Sequence, residues 1–403
     1  MTVTDVSRPA PSPASGDGHL AYYLRHGISP VRYHVEEMAA HLDRRDSLYR
    51  SLGLPPIAFK GADVLEVAPG SGQNSLYVAT CLPAALTLLE PNPAARHDIE
   101  AAYAALRQPH TQPVLVAQTL EAFCPERQFD IVICENWLGA LPHELELLRK
   151  LATLVAPGGA MVITFVPLSG FFPNVMRKLL ALRVGYPFGD FSKATAEFAQ
   201  IFGTHLATLA HMTRSHRDWV QDCILNPHYL NVALPLDAVL DTLGDRMEVL
   251  GTFPRFTDDW RWFKGLTGAA RQFNQRLVDA ARANLHNFVD YRKIFPARDP
   301  ATNAPLDAAF AAVHTLALSW QAARAAGDEA RLRIVAGQIG QRIDEIRIAI
   351  RPIDPDIAAA IEELHQTWSR PHLAPSDIRD MPRFGGLFGR ETLYLSLTRV
   401  RGR

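Results

Sequence analysis

The chain has 403 residues, 48% of them hydrophobic, with 41 Lys and Arg against 42 Asp and Glu. That length allows two domains or one domain with large insertions, and the apolar fraction suffices for a full core. A net charge near zero argues against nucleic acid as the main partner, no apolar stretch reaches the length of a membrane span, and the N-terminus lacks the apolar core of a signal peptide, so a cytoplasmic protein is expected.

Residues 1–18, "MTVTDVSRPAPSPASGDG", are rich in Pro, Ser and Gly and read as disordered. Residues 19–60 read as an N-terminal helical lid. Tyr22, Tyr23, His26, Arg32, Tyr33 and His34 crowd its first half. From 61 to 170 strands and helices alternate. Short continuous apolar runs at 63–68, 86–90, 114–118, 129–134 and 160–166 suit parallel strands buried on both faces. Helices are predicted over 73–81, 94–106 and 143–155, the last stopped by Pro157, Gly158 and Gly159. This order implies an α/β fold, a doubly wound and mostly parallel sheet with right-handed crossovers.

After residue 170 the pattern changes. Residues 171–235 read as a helical and loop-rich insertion, and 236–264 as a helix and strand returning to the core. Residues 265–387 form a second helical insertion, with a stripe of Val335, Ile339, Ile343, Ile346 and Ile350. Residues 388–403 supply a final strand, since "RETLYLSLTRV" alternates apolar and polar. About seven strands result.

The turn after the first strand, "EVAPGSGQN" from Glu66 to Asn74, raises the question of its ligand. A dinucleotide fingerprint needs a third glycine where Ser75 stands, and a phosphate-binding P-loop needs a Lys-Ser/Thr pair that is absent. Glu66 would repel a pyrophosphate and attract an ammonium. Glu90 closes the second strand, where a carboxylate can accept both hydroxyls of a ribose. A ligand with a ribose, a cationic group and no phosphate is expected, and S-adenosylmethionine fits. The four cysteines form no CxxC pair and no zinc-type spacing occurs, so no metal is expected.

"EVAPGSGQN", "LLEPNP", "FDIVICENWLG" and "LRKLATLVAPGGAMVITFV" together resemble the class I S-adenosylmethionine-dependent methyltransferases, whose sheet is Rossmann-like. The resemblance is clear over 61–166 and loose for the final strands. It implies a cofactor site of Glu66, Gly70, Ser71, Gly72, Asn74, Glu90, Pro91, Gln118, Thr119 and Glu135. Gly70 and Gly72 would admit the backbone to the methionine and ribose. Glu66 would anchor the turn or reach the ammonium through water. Gln118 and Thr119 stand where the family often has an acid for the adenine amino group, so contact there is expected through the amide and backbone.

The flanks carry the reaction. Tyr22 is a candidate to face the sulfonium through its ring. Asn136 could orient a nucleophile or the cofactor ammonium, with Trp137 as a pocket wall. In "HMTRSHRDWVQDCILNPHYL", His216 and Asp218 are the general-base candidates, and Asp218 and Asp222, four apart, could share a helix face and hold an amine. The basic-aromatic run with Arg255, Trp260, Arg261 and Trp262 is expected to cover the second insertion. The function expected is methyl transfer to a small molecule of specialised metabolism. The alternative is attack at the methionine Cγ, by ring closure to azetidine-2-carboxylate or aminocarboxypropyl transfer, releasing methylthioadenosine.

Overall fold

The computed structural model describes residues 18–29, 37–185 and 190–401. Most of the segment expected to be disordered lies outside them, as do Arg32, Tyr33 and His34. Helices α1 (His19–His26), α2 (Met38–Ser51) and α3 (Pro56–Phe59) precede the sheet. Then β1 (Asp63–Val67), α4 (Ser75–Thr80), β2 (Ala85–Leu89), α5 (Pro93–Ala105), β3 (Val114–Val116), β4 (Phe129–Cys134), α6 (Pro142–Leu154) and β5 (Val155–Phe165) alternate. With β6 (Met247–Phe253) and β7 (Leu393–Arg399) they make one seven-stranded sheet in the order β3-β2-β1-β4-β5-β7-β6. The first five strands are parallel, and β7 runs antiparallel to both β5 and β6. This is the doubly wound, mostly parallel α/β sheet read from the sequence.

The strands form where apolar runs can be buried on both faces. Val64, Leu65 and Val67 of β1 and Val132, Ile133 and Cys134 of β4 are all buried. One local expectation is corrected. Helix α6 ends at Leu154, before the "APGG" turn, and those residues begin β5 instead. Gly158 sits at φ 82° beside a register shift between β4 and β5. A Cβ on Gly159 would stand 2.6 Å from the Asp130 carbonyl oxygen, so the glycines permit close strand approach.

The remaining helices are α7 (Leu168–Val184), α8 (Phe191–Ile201), α9 (Gly203–Leu206), α10 (His216–Trp219), α11 (Leu236–Leu243), α12 (Phe273–Ala283), α13 (Pro300–Ala326), α14 (Glu329–Ile350), α15 (Pro355–Trp368) and α16 (Pro375–Arg379). The stripe on α14 is buried as its spacing predicts, and it packs in one core with α7, α13 and α15. Helix α7 carries two fully buried cations. Arg177 donates through Nη2 to the carbonyls of Phe384, Gly385 and Leu387, and Lys178 donates to those of Ile224 and Asn226. Burial lowers the Lys178 ammonium to about 7 and the Arg177 guanidinium to about 9. Carbonyl oxygens replace the lost water, so α7 pins the loops that border the sheet's carboxyl edge. Among the described residues no helix is long and apolar enough to cross a membrane.

Candidate active site

A cavity of about 440 Å³ opens along the carboxyl edge of the sheet. That edge is where open α/β sheets bind ligands. Its two halves follow the strand order. One half lies over β3, β2 and β1, with Gln118, Thr119, Glu90, Pro91 and the glycine turn. The other lies over β4, β5 and β7, with Asn136, Thr164, Val166 and Glu391.

The turn after β1 is bent by three left-handed residues, Ala68 at φ 54°, Gly70 at 59° and Gly72 at 73°. Glycine takes that conformation without penalty, whereas Ala68, like Asn136 at φ 55° after β4, is strained there. Glu90 holds the turn from across the sheet. Its Oε2 accepts the Gly70 N–H at 3.2 Å and its Oε1 accepts the Asn92 N–H at 2.9 Å. Burial raises its carboxyl above the usual range, against the pull of those two donors. Each oxygen still has acceptor capacity left toward the cavity.

Gly70, Ser71 and Asn74 line the cavity, but Gly72 does not. A Cβ on Gly72 would stand 2.6 Å from Ile99 Cγ1, so this glycine serves helix packing against α5.

Glu66 and Glu135 lie side by side beneath the turn. Glu135 is engaged: its Oε1 accepts from Arg45 Nη2 at 2.6 Å and from Tyr49 OH at 3.0 Å. Burial works against the charge of Arg45, but Glu135 outweighs it and holds the guanidinium ionised. Glu66 differs. It is 3% exposed, and its Oε2 has no hydrogen-bond partner among the described residues. Burial and the neighbouring Glu135 carboxylate push its carboxyl up to about 8, against Arg45. A buried carboxyl so raised keeps its proton until a further cation comes beside it. Helix α2 thus buttresses the turn from below, with His41 Nε2 2.8 Å from the Gln73 carbonyl oxygen and Tyr77 OH donating to Asp46.

The other half of the cavity is assembled from distant segments. Tyr23 of α1 donates to Asp222 Oδ1 at 2.6 Å, and Arg214 Nη2 donates to Asp222 Oδ2 at 2.8 Å. The Arg214 ion pair outweighs burial and holds the Asp222 carboxyl below its usual range. Glu391 Oε2 accepts from Asn174 Nδ2 and, at 3.2 Å, from Tyr229 OH. Asp222 and Cys223 lie on a π-helical turn, Val220–Leu225. Such turns are rare and concentrate at functional sites.

Three candidate catalytic residues lie elsewhere. Tyr22 points away, donating to the Gln221 carbonyl at 2.7 Å and packing on His26 and Phe191. Its neighbour Tyr23 takes the cavity position, since adjacent helical residues face directions about 100° apart. His216 sits beside Gly203, off the cavity wall. Asp218 also lies off the wall, because the helix widens into the π turn between it and Asp222. Asn136 and Trp137 do line the cavity. Trp260 and Trp262 are 93% and 67% exposed, whereas Arg261 donates to the Ala270 and Arg271 carbonyls at the start of the second insertion. Glu391 went unpredicted. Its signal was its place just before an antiparallel strand, whose start falls at the carboxyl edge of its parallel neighbour: Leu393 pairs with Phe165.

The cavity's charge restricts its ligand. Among the described residues, Glu66, Glu90, Glu121, Glu135, Asp222 and Glu391 line it, against Arg214 alone of the Lys and Arg residues. Burial lowers the His19 imidazole to about 4, so that ring is neutral. Such a wall repels phosphates and attracts cations. Among the described residues no group of three or more His, Cys, Asp or Glu is placed to hold a metal ion.

A family model described as a methyltransferase domain matches residues 37–212. Residues 37–212 thus read as a methyltransferase domain, a span short of half the chain. Solved structures similar to it include N-methyltransferase NodS from Bradyrhizobium japonicum WM9 in complex with S-adenosyl-L-homocysteine, 16% identical with a TM-score of 0.26 over 32% of this chain and 64% of NodS. Magnesium protoporphyrin IX methyltransferase (ChlM) from Synechocystis PCC 6803 with bound SAM is 20% identical, TM-score 0.27, over 36% of this chain and 69% of that one. The CcbJ methyltransferase from Streptomyces caelestis is 18% identical, TM-score 0.24, over 29% and 51%. The match thus spans less than two thirds of NodS and of CcbJ. No curated protein matches the chain in sequence. The methyltransferase domain takes in β1 to β5, the glycine turn, Glu90 and Asn136, whereas Tyr23, Asp222 and Glu391 lie outside it.

Proposed function

We propose that the protein is an S-adenosylmethionine-dependent methyltransferase acting on a small molecule. The observation that carries this is the buried Glu66 carboxyl, its Oε2 without a partner among the described residues, beneath a left-handed glycine turn that Glu90 closes. S-adenosylmethionine is the cofactor of a domain of this family, and the residues fit it. Its ammonium would draw Glu66 into its ionised form and pair with it, its ribose hydroxyls would donate to the free lone pairs of Glu90, and its adenine would lie toward Gln118, Thr119 and the buried Leu120. The excess of carboxylates suits a ligand with two cationic centres and no phosphate.

When bound, this cofactor supplies an electrophilic carbon on its sulfonium. The chain's own residues supply proximity and orientation. Asn136, held by its N–H to Thr164 Oγ1 at 2.8 Å, borders both halves of the cavity. Tyr23, Asp222 and Glu391 bind and orient the acceptor, and a carboxylate there takes its proton. A volume of about 440 Å³ sits low in the 300–1,000 Å³ common for ligand sites, so the acceptor is small. Calorimetry with S-adenosylmethionine and mass spectrometry of the products test the reading. Binding, with S-adenosylhomocysteine formed in the presence of an acceptor, is expected. Methylthioadenosine formed without any acceptor would replace methyl transfer by attack at Cγ.

A further inference from the structure

The acceptor half holds two carboxylates in different states. Asp222 is fully engaged, with Tyr23 on one oxygen and Arg214 on the other. Glu391 has both its donors, the neutral groups of Asn174 and Tyr229, on Oε2. No cation lies within ion-pair distance of it among the described residues. The nearby guanidinium of Arg177 is spent on three backbone carbonyls, Asn174 and His205, and that of Arg214 on Asp222. Burial pushes the Glu391 carboxyl above its usual range, against its two donors and the more distant charges of Arg214 and Arg177. A carboxylate so placed is costly unless a cation joins it.

We propose that the acceptor is a small primary or secondary amine that enters protonated, with Glu391 as its counter-ion and specificity-determining residue. The walls around Glu391 suit an apolar body behind that ammonium: Phe171, Tyr229, Val232 and Trp137 face the same space. A carboxylate or phosphate in this position would meet two acids against one arginine already paired. The inference rests on the cofactor reading, because S-adenosylhomocysteine must fill the other half for the amine to be confined to this one.

The test uses the full chain saturated with S-adenosylhomocysteine and three probes of similar size, 2-phenylethylamine, 2-phenylethanol and 3-phenylpropionate, read by calorimetry. The amine should bind, and the alcohol and acid should bind at least about tenfold more weakly, the loss expected for one charge-assisted hydrogen bond. Glu391→Gln keeps an acceptor for Asn174 and Tyr229. It should weaken the amine by a similar factor while S-adenosylhomocysteine affinity is retained. Equal or better binding of the acid, no binding of any probe, or an unchanged amine affinity in Glu391→Gln would overturn the proposal and leave the cofactor reading intact. Failure of S-adenosylhomocysteine itself to bind would overturn both.

Discussion

Glu90→Gln is the sharpest test of the cofactor half. In the parent, each carboxylate oxygen accepts one backbone N–H, from Gly70 at 3.2 Å and from Asn92 at 2.9 Å. Each oxygen then has a lone pair left for one ribose hydroxyl. The amide keeps one oxygen and turns the other into an NH₂ donor, which faces a backbone N–H on one side and a hydroxyl on the other. One charge-assisted bond to the ribose is lost, worth about 1.5–3 kcal/mol, and the second loses its charge. That predicts a rise in Kd of roughly 10- to 150-fold. The stranded backbone N–H costs about 1–3 kcal/mol of stability, visible as a lower Tm without cofactor. Calorimetry should find S-adenosylmethionine and S-adenosylhomocysteine weakened alike, since both carry the ribose. If only one loses affinity, or if both stay within about threefold of the parent, Glu90 is a brace for the turn and not a ribose ligand.

Other outcomes follow from the same geometry. Glu66, raised from 4.5 to about 8, holds a proton in the folded chain that the unfolded chain has already released, so stability should fall as pH rises from about 4.5 to 8. Melting curves of Glu66→Gln should lack that part of the slope, and identical profiles would count against the assignment. Gly72→Ala combines a left-handed φ with a Cβ 2.6 Å from Ile99 Cγ1 and should lower stability by about 2–4 kcal/mol in denaturant titration. Asp222→Asn leaves Arg214 without its counter-charge and should cut turnover with cofactor affinity unchanged, whereas His216→Ala, off the cavity wall, should escape the ~10²–10⁴ loss that follows removal of a positioned base.

The sheet is legible in the amino-acid sequence because its signals are local. Continuous apolar runs mark strands buried on both faces, and "PGSG" followed by an acid at the next strand end marks a ligand turn within about thirty residues. The helical stripe on α14 is legible for the same reason, since a period of 3.6 is a property of neighbours in sequence. Even so, the local signal does not reveal that Gly72 is also required by its packing against Ile99.

The acceptor half is decided by tertiary structure alone. Tyr23 meets Asp222 across 199 positions, and Asn174 meets Glu391 across 217. Adjacent tyrosines on α1 point in different directions, and which one enters the cavity depends on how that helix lies against the π turn. The turn itself rotates Asp222 away from the face it would share with Asp218 on a regular helix. Glu391 reaches the site only because β7 runs antiparallel to β5, which brings the start of the last strand to the carboxyl edge of the parallel ones. Periodicity reports which face of an element is buried; it carries no information about which distant element covers that face, and a site built from such pairings exists only once the chain has packed.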